Sequence, residues 1–92
     1  MDIEFDPVKR AITLAERGLD LAEVWRVFAG PVLTFDDHRF DYGEDRKITI
    51  GYLYDRMVLF AWTKRGEKIR VISLRKTNDR ERRIYGKRLA GS

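Results

Sequence analysis

At Gly30-Pro31 the sequence changes its hydrophobic period, and that switch restricts the possible folds more than any other feature of the chain. Before it, apolar residues recur at helical spacing: Val8, Ala11, Ile12 and Ala15, then Leu21, Val24, Trp25 and Phe28. After it, β-branched and aromatic residues crowd into four segments, Val32 to Asp36, Lys47 to Tyr54, Met57 to Thr63 and Lys68 to Leu74. Helices followed by strands, rather than alternating with them, read as an α+β fold.

Local signals sharpen the boundaries. Ile3 to Phe5 is a short β-like start, and Asp6-Pro7 reads as an N-cap with proline in the first helical position. Gly18 supplies a left-handed stop. Asp20 with Glu23 has the form of a capping box, with Leu19 and Val24 as its hydrophobic staple, so a second helix is expected up to Gly30. Asp55-Arg56 and Arg65-Gly66 sit where hairpin turns belong, which makes the last three strands an antiparallel meander. Met57 to Trp62 is apolar on both faces and reads as a central strand. Asn78 with Glu81 forms a further capping box, opening a polar helix from about Asp79 to Leu89. The expected order is two N-terminal helices, an antiparallel sheet of about four strands and a C-terminal helix, all in one domain spanning 1–92.

Composition removes several kinds of chemistry. The chain has no Cys and one His, His38, so disulfide frameworks, thiolate metal sites, a cysteine nucleophile and a pair of catalytic histidines are excluded. Carboxylates, Lys, Arg and Tyr remain, and neither a cofactor nor a metal is expected. No apolar run approaches a membrane span and the start MDIEFDPVKR lacks a signal-peptide pattern, so a cytoplasmic protein with no membrane contact is expected.

The net charge of +4 conceals an asymmetry. Residues 1–63 hold 8 basic and 12 acidic side chains, whereas residues 64–92 hold 11 basic and 3 acidic. Such segregation points to a polyanion, with nucleic acid the leading partner, or to a solvated basic helix. Arg70, Arg75, Lys76, Arg80, Arg82 and Arg83 run from the last strand into the last helix. An arginine within an apolar strand requires a carboxylate or a ligand, so Arg70 either faces phosphate or pairs with Glu44 or Asp45. Strict alternation would place Arg70 and Arg75 on opposite faces, unless the strand ends or bulges between them. Glu81 and Tyr85 lie one helical turn apart; Tyr85 is either a packing residue or a proton donor. His38 reads as an exposed loop residue.

Six short patterns occur in order: Asp6-Pro7-x-Lys9, Val27-Phe28 before Gly30-Pro31, Asp41-Tyr42-Gly43-Glu44-x-Arg46, Thr63-x-Arg65-Gly66, Arg70-x-Ile72-Ser73-x-Arg75-Lys76, and Glu81-Arg82-x-x-Tyr85. Together they resemble the BrnT toxin family across almost the whole chain. The resemblance implies a RelE-like fold and a type II toxin-antitoxin ribonuclease that inhibits translation. It also implies neutralisation by a BrnA-type antitoxin in a heterotetramer of two toxins and two antitoxins, with DNA contacted only through the antitoxin. Carried onto this sequence, the catalytic positions are Arg70, Arg75, Tyr85, Glu44 and Arg46. The RNA-binding positions are Lys64, Arg65, Lys76, Arg80, Glu81, Arg82 and Arg17. Family members commonly carry Lys-His-Gly where this chain has Glu16-Arg17-Gly18, so either Arg17 acts there only electrostatically or activity is reduced. A non-catalytic RNA- or ribosome-binding inhibitor and a pure antitoxin-binding module are the alternative readings. An antitoxin that covers the basic surface would compete with RNA.

Overall fold

The computed structural model describes residues 2–39, 41 and 43–91; Tyr42 of the loop pattern lies outside them. The order is β1 (Ile3–Glu4), α1 (Pro7–Arg17), a 3-10 turn (Leu21–Glu23), α2 (Trp25–Phe28), β2 (Leu33–Asp36), β3 (Lys47–Leu53), β4 (Arg56–Arg65), β5 (Lys68–Lys76) and α3 (Asp79–Gly91). The strands form one sheet in the order β1-β5-β4-β3-β2. Strands β2 to β5 are antiparallel as expected, but β1 adds a fifth strand, parallel to β5. The sheet is therefore mixed. Two residues are too few to show a period, and their partners, Ile69 and Arg70, lie more than sixty positions away.

Local chemistry accounts for the first helix. The Asp6 side chain accepts from the Val8 amide at 2.9 Å, and Gly18 ends the helix at φ +67, where a side chain would be strained. The second helix is shorter than its apolar spacing suggests. Asp20 caps the segment as expected, but through the Ala22 amide at 2.9 Å; its carboxylate also accepts from Arg10 at 2.8 and 3.0 Å, and the Glu23 amide bonds the Asp20 carbonyl instead. The chain turns through a 3-10 segment and makes only four residues of α-helix. The Arg10 hydrogen bonds also hold the Asp20 carboxyl below its ordinary value.

Both hairpin turns sit one residue off their expected places. Leu53 pairs with Arg56 and Arg65 with Lys68, leaving Tyr54-Asp55 and Gly66-Glu67 as the two-residue loops. Tyr54 adopts φ +59, a value that a bulky residue rarely takes, so its identity gave no turn signal.

Two apolar layers cover the sheet. On one face Leu21, Val24, Val27, Leu53, Val58, Phe60, Val71 and Leu74 pack beneath the helical segments. Gly51 permits this approach, since a Cβ there would lie 2.6 Å from Val27 Cγ1. On the other face Ile48, Ile50, Met57, Leu59 and Leu89 pack together, with Leu33 and Tyr85 against them, under α3. Residues of β4 alternate between the two layers, as a central strand requires. Among the described residues no helix is long and apolar enough to cross a membrane.

Candidate functional site

The decisive local feature is a bulge in β5. Ala61 pairs with Ser73 but Trp62 pairs with Val71, so Ile72 is the extra residue. One extra residue reverses the alternation for every strand position beyond it. Arg70 lies opposite Thr63, and Arg75 lies opposite Leu59 of the α3-side layer. Both arginines consequently belong to the α3 face, with Ala61, Thr63 and Ser73 forming a floor of small side chains between them. The same alternation assigns Lys64 and Lys76 to the opposite face, away from this surface.

The expected residues form two groups along this face. At one end, Glu44, Arg46, Arg65 and Arg70 line a cleft of about 180 Å³ together with Lys9 and Asp6. The Glu44 carboxylate lies 3.5 Å from Arg46 and 3.8 Å from Arg65. Arg70 pairs with Glu4 at 2.5 Å, across the β1–β5 register, rather than with Glu44 or Asp45. Lys9 was visible only as part of a sequence pattern. Here its Nζ donates to the Ile72 carbonyl at the bulge, at 2.9 Å.

At the other end, Arg75 donates two hydrogen bonds to Glu81, at 2.8 and 2.9 Å. Glu81 also completes the expected capping box: its Oε1 accepts from the Asn78 amide at 2.9 Å, while Asn78 Oδ1 accepts from the Glu81 amide at 2.8 Å. The helix start thus fixes the Glu81 side chain, which in turn orients the Arg75 guanidinium. Tyr85 packs against the apolar layer and stacks on Phe35, with ring centroids 6.3 Å apart, and does not line the Arg70 cleft. Arg82 donates to the Thr77 carbonyl and pairs with Asp79, whereas Arg80 is exposed. Arg17 donates to the Leu74 carbonyl at 2.8 Å, next to the edge of β5 that the short β1 leaves uncovered.

Arg39 was not singled out in the sequence. It makes a bidentate pair with Asp37, at 2.9 Å on both oxygens, and the Asp37 side chain is only 1% exposed. Its charge reaches Arg75 and opposes the charged form there. The only sequence signal was an aspartate and an arginine two residues apart in a polar loop, which is indistinguishable from a solvated turn. His38 is exposed, as expected. Among the described residues no three His, Asp or Glu side chains are grouped to hold a metal ion.

Hydrogen bonds from Arg75, then the Asn78 amide, bring the Glu81 carboxyl down to about 2 against desolvation; the same carboxylate raises Arg75. A depressed carboxyl stabilises the fold fully above its unfolded value near 4.5, and that contribution is lost as pH falls through 2. Glu81→Gln keeps the cap and removes the charge. Allowing for solvent screening, the expected cost is about 1 kcal/mol at pH 7. Urea unfolding of both proteins across pH 2 to 7 checks this, and the difference should close towards pH 2.

The sequence model of the family described as "Ribonuclease toxin, BrnT, of type II toxin-antitoxin system" matches residues 5–81. That span includes the Arg70 cleft, the bulge, Arg75 and Glu81, and it stops before Arg82 and Tyr85. No individual curated protein matches the chain. With 77 of its 92 residues aligned to that model, the chain belongs to the BrnT family of ribonuclease toxins from type II toxin-antitoxin systems, a class defined by an antitoxin partner.

Proposed function

We propose that this chain is a metal-independent endoribonuclease that cuts RNA, thereby inhibiting translation, and that a BrnA-type antitoxin neutralises it. The observation that carries the reading is the bulge at Ile72, which gathers Arg70 and Arg75 on one open face beside a cleft holding Glu44, Arg46, Arg65 and Lys9. Five strand positions separate the two arginines, about 15 Å of extended chain. They therefore serve different phosphates of an RNA strand rather than gripping one.

In this reading Arg70 stabilises the charge that develops on the scissile phosphate, and Glu44 in the same cleft accepts the 2′-hydroxyl proton. Arg75, oriented by Glu81, holds a neighbouring phosphate. Tyr85, the donor that the family resemblance suggests, lies outside the cleft that holds Glu44 and Arg70, so in this reading Lys9 of that cleft or water protonates the leaving 5′-oxygen. Tyr85→Phe should then leave cleavage within about threefold of wild type and the Phe35 stack intact. A loss of about 10²-fold in the purified variant would return the role to Tyr85.

The packing of Tyr85 on Phe35 favours a second reading, an RNA-binding inhibitor without cleavage. Induced expression followed by RNA end mapping separates the two. New RNA ends that persist when purified protein is assayed in EDTA support the nuclease. Growth arrest without new ends supports the inhibitor, with affinity falling by about 0.7 in log K per log salt for each phosphate contacted.

A further inference from the structure

The apolar stripe of α1 faces away from the molecule. Val8 is 66% and Ile12 50% exposed, Ala11 and Ala15 are exposed with them, and no residue of this eleven-residue helix is buried. The opposite side of the helix explains the orientation. Lys9 and Arg17 donate to the Ile72 and Leu74 carbonyls where β1 no longer covers β5, so the cationic side of α1 closes the sheet edge. A surface helix ordinarily turns its apolar side inward.

The exposed surface continues from the helix. Leu14, 46% exposed, borders a groove of about 450 Å³ with Leu19, Leu53 and Tyr54. Beyond it the Arg26 guanidinium lies between two rings, 4.4 Å from Trp25 and 5.4 Å from Tyr54. Trp25 is 45% exposed, and Tyr54 is 68% exposed while holding its left-handed φ. Trp, Tyr and Arg are the residue types that dominate interface energetics, and a strained backbone that displays one of them is explained by use.

We propose that this track, from the α1 stripe across the groove to Trp25 and Tyr54, anchors the antitoxin through a segment bearing apolar side chains. The track has no net charge to draw RNA, because Arg10 neutralises Asp20 while Glu23 and Asp55 stand against Arg56 and Arg26, a balance that suits an apolar peptide rather than a polyanion. A second copy of this chain is the competing occupant, and a wild-type dimer would reveal it. The proposal rests on the family's toxin-antitoxin pairing and not on the RNA chemistry. A chain anchored here can still extend round the β5 edge to cover Arg70.

The test titrates the antitoxin encoded beside the toxin gene into full-length toxin by calorimetry. Val8→Asp with Ile12→Asp should raise Kd at least 100-fold and leave thermal unfolding and RNA cleavage unchanged. Tyr54→Gly removes an anchor while relieving the φ +59 strain, so it should weaken binding at least 10-fold with an equal or higher Tm. Wild-type affinity in both variants would overturn the proposal, as would no binding by wild type. An Ile84→Asp variant on α3 that loses affinity as strongly, or a wild-type dimer that Ile12→Asp dissociates, would do the same. Antitoxin binding that behaves as expected in a protein that cleaves no RNA would sink the nuclease reading and leave this one standing.

Discussion

Arg70→Ala should lower RNA cleavage by roughly 10² to 10³ with the fold retained, the scale of losing one donor aimed at developing charge. The Arg70 side chain and its partner Glu4 are each about one-third exposed, so with solvent screening the substitution should cost about 1 kcal/mol of stability. The loss therefore belongs to chemistry rather than unfolding. Arg75→Ala should behave differently. Some 15 Å along the strand from Arg70, it contacts another phosphate, and its removal should raise KM more than it lowers kcat. Single-turnover cleavage of a short RNA at saturating enzyme separates the two effects. Near-normal rates in a folded Arg70→Ala, Arg75→Ala double variant would remove both residues from the mechanism.

Whether the arginines share a face was the point at which sequence reading stopped. Arg70 and Arg75 are five apart, and alternation alone puts them on opposite sides. Nothing in Arg-Val-Ile-Ser-Leu-Arg marks the bulge at Ile72, because no glycine is needed and the signal lies in the register with β4. Signals contained within one segment were readable: the Asp6 cap, the Gly18 stop and the reciprocal Asn78–Glu81 box all appear as their spacing implied. Long-range effects were not. Asp20 is a cap as read, but through the Ala22 amide rather than Glu23, and its carboxylate also holds Arg10, ten residues earlier. The stripe of α1 was a correct helix signal, yet its direction depended on β5 carbonyls more than fifty residues away. The basic C-terminal third was also read correctly as a segment, but strand alternation splits it. Lys64 and Lys76 are placed opposite Arg70 and Arg75.

Phe60→Ala is expected to cost about 3 to 5 kcal/mol, the range for deleting a buried aromatic side chain. Phe60 is fully buried, meets Phe28 edge to face at 5.5 Å, and sits in β4 opposite Leu74. A 92-residue domain has a total stability of about 5 to 14 kcal/mol, so this one change removes a large share of it. The position also bears on function. Phe60 fixes β4 one residue before the Ala61–Ser73 pair at which the bulge begins, and the bulge sets where Arg75 points relative to Arg70. The variant should therefore lose toxicity at 37 °C through unfolding. At low temperature, where enough of it is folded, cleavage per folded molecule should recover to within about tenfold of wild type, since no group that touches RNA has been removed. Chemical denaturation with cleavage measured at 15 °C checks both parts. A stable Phe60→Ala protein that has lost cleavage would mean that strand position, rather than stability, is what Phe60 supplies.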